Sequence, residues 1–279
     1  MTNKLIEKKY LKKINLLKKY NKSYYLKNNS LINDGDFDLL KKEILELEKN
    51  YEFLKSKNSP SISIGFKPSK NFKKEKHKIP MLSLANAFDE NDLINFEKKI
   101  MKFLSLTNLN KLEYSVEPKI DGISASLIYK NGKFIKGLSR GDGNEGEDIT
   151  ENLKTIKDIP REINVKNFPN EIDIRGEVFI KKKDFEKIND KFANPRNAAS
   201  GTLRQKDPKQ TSKVPLNFIA YTFGHEDGLN ITNQYNFLNN LKIWGFKINS
   251  FNKKIKGIKN LILNHQFLEE KRKELAFDI

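Results

Sequence analysis

The stretch YSVEPKIDGISASLIYKNGKFI, residues 114–135, decides the fold. Tyr114 and Val116 are separated by a polar residue. The run from Ser124 to Tyr129 mixes small and β-prone residues, and an Asn131-Gly132 turn then leads into Phe134 and Ile135, which together read as a β-hairpin. Lys119-Ile120-Asp121-Gly122 sits where one expected strand passes into the next. Downstream, strands are expected at Glu171 to Ile180 and Leu216 to Phe223, with helices at Lys183 to Asn189 and Gln234 to Trp244. Upstream, an acidic first turn (Asp89, Glu90, Asp92) opens a helix running to about Leu104. From Lys4 to about Leu54, Leu5, Ile14, Leu16, Leu17, Leu39, Leu40, Ile44 and Leu47 recur at helical spacing, with a break around Asn28 to Gly35. That pattern gives two helices joined by a polar turn. Between Ser56 and Pro80, prolines, serines and lysines read as an extended linker. The fold class is therefore α+β: a small helical domain over 1–70 with its linker, then a body over 71–279 built on mostly antiparallel sheet.

The chain has 279 residues, 37% of them apolar, enough for a real core. Lys+Arg 53 against Asp+Glu 36 leaves a formal charge of +17. Such an excess favours a polyanionic partner, although a lysine-rich solubilising surface gives the same count. No cysteine is present, which excludes disulfides and thiolate zinc sites and fits a reducing cytosol. Three scattered histidines mark no metal site. The stretch Met1 to Tyr10 is charged, and no segment approaches the roughly 20 apolar residues of a membrane span. A cytoplasmic, monomeric protein with no membrane partner is expected.

A lysine followed at two and three residues by aspartate and glycine suits nucleophilic chemistry, since an amine whose neighbours depress its pKa is a nitrogen nucleophile and glycine admits a nucleotide close to the backbone. Alone, the same four residues also describe a turn with an exposed lysine. Arg140-Gly141-Asp142-Gly143 adds a cation on a glycine-flanked turn, and Arg175-Gly176-Glu177-Val178-Phe179 adds a carboxylate on an expected strand. Asn194 to Gln205 (NPRNAASGTLRQ) adds two arginines on a small-residue segment. A hairpin turn, a strand salt bridge and a helix N-terminus account for these singly but not for all in this order.

With these motifs and the nearly unbroken Arg140 to Pro160 stretch, the chain resembles the bacterial NAD-dependent DNA ligases, members of the lysine nucleotidyltransferase superfamily, from about residue 10 to the end. The resemblance implies that Lys119 is the lysine that takes up AMP. It implies that Glu117, Asp121, Arg140 and Glu177 contact the nucleotide. Ser83-Leu84 match a dinucleotide-contacting pair, and Arg196 and Arg204 match arginines near the phosphates of cofactor or nick. Tyr24 and Asp34-Gly35-Asp36-Phe37-Asp38 fall on the pattern that holds the nicotinamide mononucleotide half. Implied besides are NAD+, Mg²⁺ or Mn²⁺, and nicked double-stranded DNA. The family's zinc finger is not in this chain, and the chain is expected to stop short of an Asp-Gly-x-Val-Ile-Lys motif carrying a phosphate-binding lysine, so that it adenylates slowly alone.

Rival readings separate on particular features. ATP-dependent ligases and capping-type nucleotidyltransferases share Lys-x-Asp-Gly but lack a helical domain before Pro80. A non-catalytic nucleic-acid-binding module needs only the charge. Two residues depart from the family pattern: Tyr25 stands where histidine is usual and Phe37 where tyrosine is usual. Phe37 keeps a stacking face but lacks one hydroxyl. Replacing Phe37 by tyrosine should tighten NAD+ by up to about tenfold, the worth of one hydrogen bond near 1.4 kcal/mol, measured by calorimetry. An unchanged Kd would mean that stacking suffices.

Overall fold

The computed structural model describes residues 3–27, 31–32, 34–54, 59, 72–107 and 112–279. Helices α1 (Asn3–Lys27) and α2 (Asp34–Asn50) come first, with a 3₁₀ turn at Glu52–Leu54. Their buried seam consists of Ile6, Tyr10, Ile14 and Leu17 against Leu40, Ile44 and Leu54. That spacing of four, four and three places one apolar stripe on α1. The sequence expectation is corrected in detail: Leu5, Leu16 and Leu39 lie on the exposed side. Within the seam the buried Tyr10 hydroxyl donates to Glu48 at 2.7 Å, so both polar groups are satisfied where water is excluded.

Most of the expected linker, and with it the expected boundary, lies outside the described residues. Its last part is not free chain. Strand β1 (Lys74–Lys76) pairs with β5 (Glu145–Glu147), both unforeseen. Between them in sequence stand α3 (Glu90–Phe103), β2 (Glu113–Val116), β3 (Ile123–Lys130) and β4 (Lys133–Ser139). Asp89 caps α3, accepting from the Asp92 amide at 2.9 Å. As expected, β3 and β4 form a hairpin, and both turn residues have positive φ, 48° at Asn131 and 75° at Gly132. In contrast, β2 does not join that hairpin; it pairs antiparallel with β8 (Lys253–Lys256). Pro118 offers no N–H with which to carry the ladder onward, so the chain leaves one sheet before entering the next.

After β5 come α4 (Thr150–Leu153), β6 (Glu171–Phe179), α5 (Lys182–Phe185), α6 (Pro195–Leu203), α7 (Pro208–Thr211), β7 (Asn217–Asp227), α8 (Gln234–Ile243) and, beyond β8, α9 (Ile258–Lys271). Helix α5 is shorter than the span expected from Lys183 to Asn189. Tight turns, Ile188 N–H to Phe185 and Lys191 N–H to Ile188, take over and turn Phe185, Ile188 and Phe192 onto Ala198 and Ala199. The large sheet runs β4-β3-β6-β7, antiparallel throughout. Among the described residues no helix is long and apolar enough to cross a membrane.

Alternation divides the large sheet into two unlike faces. Leu127, Tyr129, Ile172, Ile174, Val178, Phe218 and Ala220 turn to the core with Phe237, Leu241 and Trp244. The other face carries Ser124, Ser126, Asp173, Arg175 and Glu177, with Ser124 opposite Glu177 and Ser126 opposite Arg175. Three charged residues on a central strand, all buried, require partners. Asp173 accepts from Ser126 Oγ and from Arg175, and Arg175 donates onward to the carbonyls of Ile79 and Pro80. The segment before α3 is thereby strapped across the sheet. Gly224 makes room: a Cβ there would lie 2.2 Å from Asp173 Oδ2 and 2.3 Å from Arg175 Nη2.

Gly224→Ala should therefore displace the ion pair and lower stability by about 3 kcal/mol, in the range for breaking a buried pair or overpacking. Urea unfolding would measure it, and a loss below about 0.5 kcal/mol would show that the pair can shift aside without cost.

Candidate functional site

Lys119 lies, exposed, on the crossing from β2 to β3, between the small sheet and the large one. The crossing is held at both ends. Gly122 packs on β6 so closely that a Cβ would meet Val178 O at 2.4 Å and Glu177 Cγ at 2.8 Å. At Asp121 the backbone N–H donates to Asp278 O at 2.9 Å, while Oδ1 accepts from Arg196 Nη1 at 2.9 Å. Beneath them Ile120 packs with Phe179, Ile219, Phe277 and Ile279. The exposed amine thus stands on a fixed backbone.

Glu177 is the one buried charge of β6 whose partners are incomplete. Its Oε2 accepts from Ser124 Oγ at 2.8 Å. Burial pushes the carboxyl up from its ordinary 4.5 to about 7, against the opposing pull of Arg196, the Ser124 hydrogen bond and Lys119. Tyr221, unforeseen from the sequence, lies among the same groups: burial raises its phenol, and the neighbouring Glu177 raises it further, against pulls from Ser124, Arg140 and Arg175.

On the other side, Glu117 Oε1 accepts from Ser115 Oγ and Gln234 Nε2, each at 3.0 Å. Burial raises this carboxyl too, and both hydrogen bonds oppose the rise. Arg140 Nη2 donates to Ser83 Oγ at 2.8 Å and its Nε to Met81 O at 3.2 Å. His77 Nε2, 3.2 Å from Arg140 O, donates to it, a carbonyl being able only to accept. The strap is therefore stitched to the Arg140 turn as well as to Arg175, and it holds Ser83 beside Arg140. Leu84 stays 75% exposed, an apolar surface open to a ligand.

The remaining expected residues fall farther apart. Arg204 Nε pairs with the fully buried Glu147 at 3.1 Å, away from Lys119's immediate partners. Phe37 is half-buried against the α1/α2 seam, Gly35 and Asp36 are exposed, and Asp38 is half-buried. The side chains of Tyr24 and Asp34 lie outside the described set. Sequence reading missed Ser115, Ser124, Tyr221 and Gln234. Alternation on β3 would have pointed to Ser124, but nothing local marks Gln234, which meets Glu117 only through the packing of α8.

The model for the NAD-dependent DNA ligase adenylation domain matches residues 69–279, and that for the DNA ligase-like N-terminal NAD+-binding domain matches residues 3–65. The chain belongs to the NAD-dependent DNA ligase family. A DNA ligase of Pelagibacter ubique (strain HTCC1062) is 70% identical over 279 residues, 100% of this chain and 41% of that protein. A DNA ligase of Parvibaculum lavamentivorans is 42% identical over 271 residues, 94% of this chain and 38% of that protein. One from Rickettsia akari is 42% identical over 268 residues, 93% and 38% respectively. The chain thus spans about two fifths of the length of these ligases, and the matched span includes Glu117, Lys119, Arg140 and Glu177.

The ionisation of Glu177 has a sign. Between pH 4.5 and about 7 the folded chain keeps a proton that the unfolded chain has released, so this residue's contribution to stability is full below 4.5 and is lost as pH rises through 7. Glu177→Gln removes that dependence. Relative to the parent, the variant should gain up to about 3 kcal/mol on going from pH 4.5 to pH 8, at ~1.36 kcal/mol per pH unit of displaced pKa. Urea midpoints at the two pH values check this, and a constant difference would refute it.

Proposed function

We propose that this chain performs the first step of NAD+-dependent DNA ligation, and that Lys119 is its nucleophile. In this reading the neutral Lys119 amine attacks the α-phosphorus of NAD+. A P–N bond forms as the phosphorus–oxygen bond to nicotinamide mononucleotide breaks; the leaving group departs with the electron pair, and the amine proton passes to solvent. The product is a phosphoramidate of AMP on Lys119. The observation that carries the reading is the meeting of Lys119, Asp121 and Arg196 around the incompletely satisfied carboxyl of Glu177, with Tyr221 linking that cluster to Arg140.

Within the proposal each residue has a chemical task. Glu117 and Glu177 accept hydrogen bonds from base and ribose. Asp121 holds Arg196 toward the phosphate, where a preorganised guanidinium offsets charge developing in the transition state. Arg140 keeps Ser83 and Leu84 against the dinucleotide. Tyr24 and Asp34, Gly35, Asp36, Phe37 and Asp38 receive the nicotinamide mononucleotide half, with residues 1–70 and 71–279 acting as two domains.

Among the described residues no three His, Asp or Glu side chains group as a metal-ligand set, and Asp121 is already engaged by Arg196. A protein-held ion does not fit this donor set among the described residues. Mg²⁺ or Mn²⁺ enters the proposal only with the substrate phosphates. The later steps belong to the proposal for the whole ligase, a cytoplasmic monomer: transfer of AMP to the 5′-phosphate of a DNA nick, then sealing. The +17 charge supports attraction to the nick, and Arg204 faces the nucleic acid.

Incubation with NAD+ and Mg²⁺ should add the mass of one AMP moiety to the intact chain, located at Lys119 by peptide mapping. Lys119→Ala should carry none, and ATP in place of NAD+ should give none. Because the adduct is covalent, even slow formation accumulates. An adduct from ATP alone would move the chain to the ATP-dependent class, and persistent absence of any adduct would leave only nucleic-acid binding.

A further inference from the structure

Both hydrogen bonds to Glu117 converge on one oxygen. Ser115 Oγ and Gln234 Nε2 each donate to Oε1 at 3.0 Å, and among the described residues nothing donates to Oε2. Gln234 is the first residue of α8, beside the Asn233 cap that accepts from the Asn236 amide at 2.9 Å. The same Gln234 Nε2 also donates to Tyr221 O at 2.6 Å. A backbone carbonyl can only accept, so the amide group of Gln234 is oriented with its NH₂ toward both neighbours. Glu117 Oε1 is therefore the acceptor of the pair. Ionised, the carboxylate presents the lone pairs of Oε2 to the site.

Resting on the reading that Glu117 faces the nucleotide base, we propose that Gln234 is a positioning residue that sets the base preference of the site, holding Glu117 so that Oε2 demands a donor and thus a 6-amino purine. A 6-oxo purine brings an acceptor to the same place, and two acceptors facing each other leave both unpaired at the cost of desolvation. The preference arises through Gln234 because Glu117 has a second form. Protonated on Oε2 it would be a donor and would accommodate the 6-oxo base. Burial pulls Glu117 toward that form, and the Gln234 and Ser115 hydrogen bonds pull against it, the Gln234 bond more strongly. Removing the Gln234 donor releases both the rotamer and the charge of Glu117. By also binding the carbonyl of Tyr221, Gln234 ties the base-facing acid to β7, the strand that brings Tyr221 beside Glu177.

Calorimetry on the 279-residue chain with NAD+ and with nicotinamide hypoxanthine dinucleotide reads the preference directly. The parent should bind NAD+ more tightly. Gln234→Met, matched in length but without a donor, should shrink the ratio of the two affinities by about tenfold, through weaker NAD+ binding with hypoxanthine binding held or improved. Ser115→Ala, which removes the other donor to the same oxygen, should shift the ratio the same way by less. It carries the test if thermal melting shows that Gln234→Met is not folded. Equal weakening of both ligands by Gln234→Met, with the ratio intact, would show a merely structural role and overturn the proposal. A parent that binds both dinucleotides equally would overturn it as well while leaving the nucleotide site standing. A parent that binds neither would overturn the reading of the site itself.

Discussion

The Arg175 guanidinium is buried on the central strand of the large sheet, shared between the Asp173 carboxylate and the carbonyls of Ile79 and Pro80. A charge so placed cannot be left unpaired without a cost of several kcal/mol, so the strand and the strap above it are bound to one arrangement. Such a pair contributes less net stability than its contacts imply, since removing two ions from water costs nearly what their attraction returns. What it supplies here is position. With the strap fixed, Met81 and Ser83 fall within reach of Arg140, His77 reaches the Arg140 carbonyl, and one wall of the site is set.

The same strand carries one less fully paired acid within an otherwise satisfied framework. Asp173 and Arg175 answer each other, whereas Glu177, two residues on along the same face, has one hydroxyl and the more distant charges of Arg196 and Lys119. Burial raises its carboxyl to about 7 because that one hydroxyl and the charges of Arg196 and Lys119 only partly offset the loss of water. Glu117, two residues before Lys119, repeats the pattern with Ser115 and Gln234 on one oxygen and, among the described residues, no donor to the other. Both acids are raised by burial, and Glu177 lies within the electrostatic reach of Arg196 and Lys119.

The helical pair is built on different terms. Its seam is short and apolar, with Tyr10 and Glu48 as the buried polar pair, and Phe37 leans on that seam. A half-buried ring has less freedom to reorient than an exposed one. Anything that packed against Phe37 would meet a surface already formed by α1 and α2, and stacking on a formed surface loses less side-chain entropy.

The sequence by itself determined what depends on nearest neighbours along the chain. The Asn131-Gly132 turn fixed the β3–β4 hairpin, Asp89 fixed the start of α3, and the motifs from Lys119 to Arg204 pointed to the family, because turn, cap and motif signals act over a few residues. Asn194 and Pro195 carried an equally local signal for α6, which the cap at 2.7 Å expresses. Tertiary structure alone decided the partner of β2, which lies with β8 more than a hundred residues away, and the fate of the supposed linker, part of which became a strand and a strap. It also decided that Gln234 touches Glu117 and that Gly224 makes room for Asp173 and Arg175. Those contacts join residues whose separation in sequence carries no periodicity, and only the packing of whole elements against one another brings them within hydrogen-bond range.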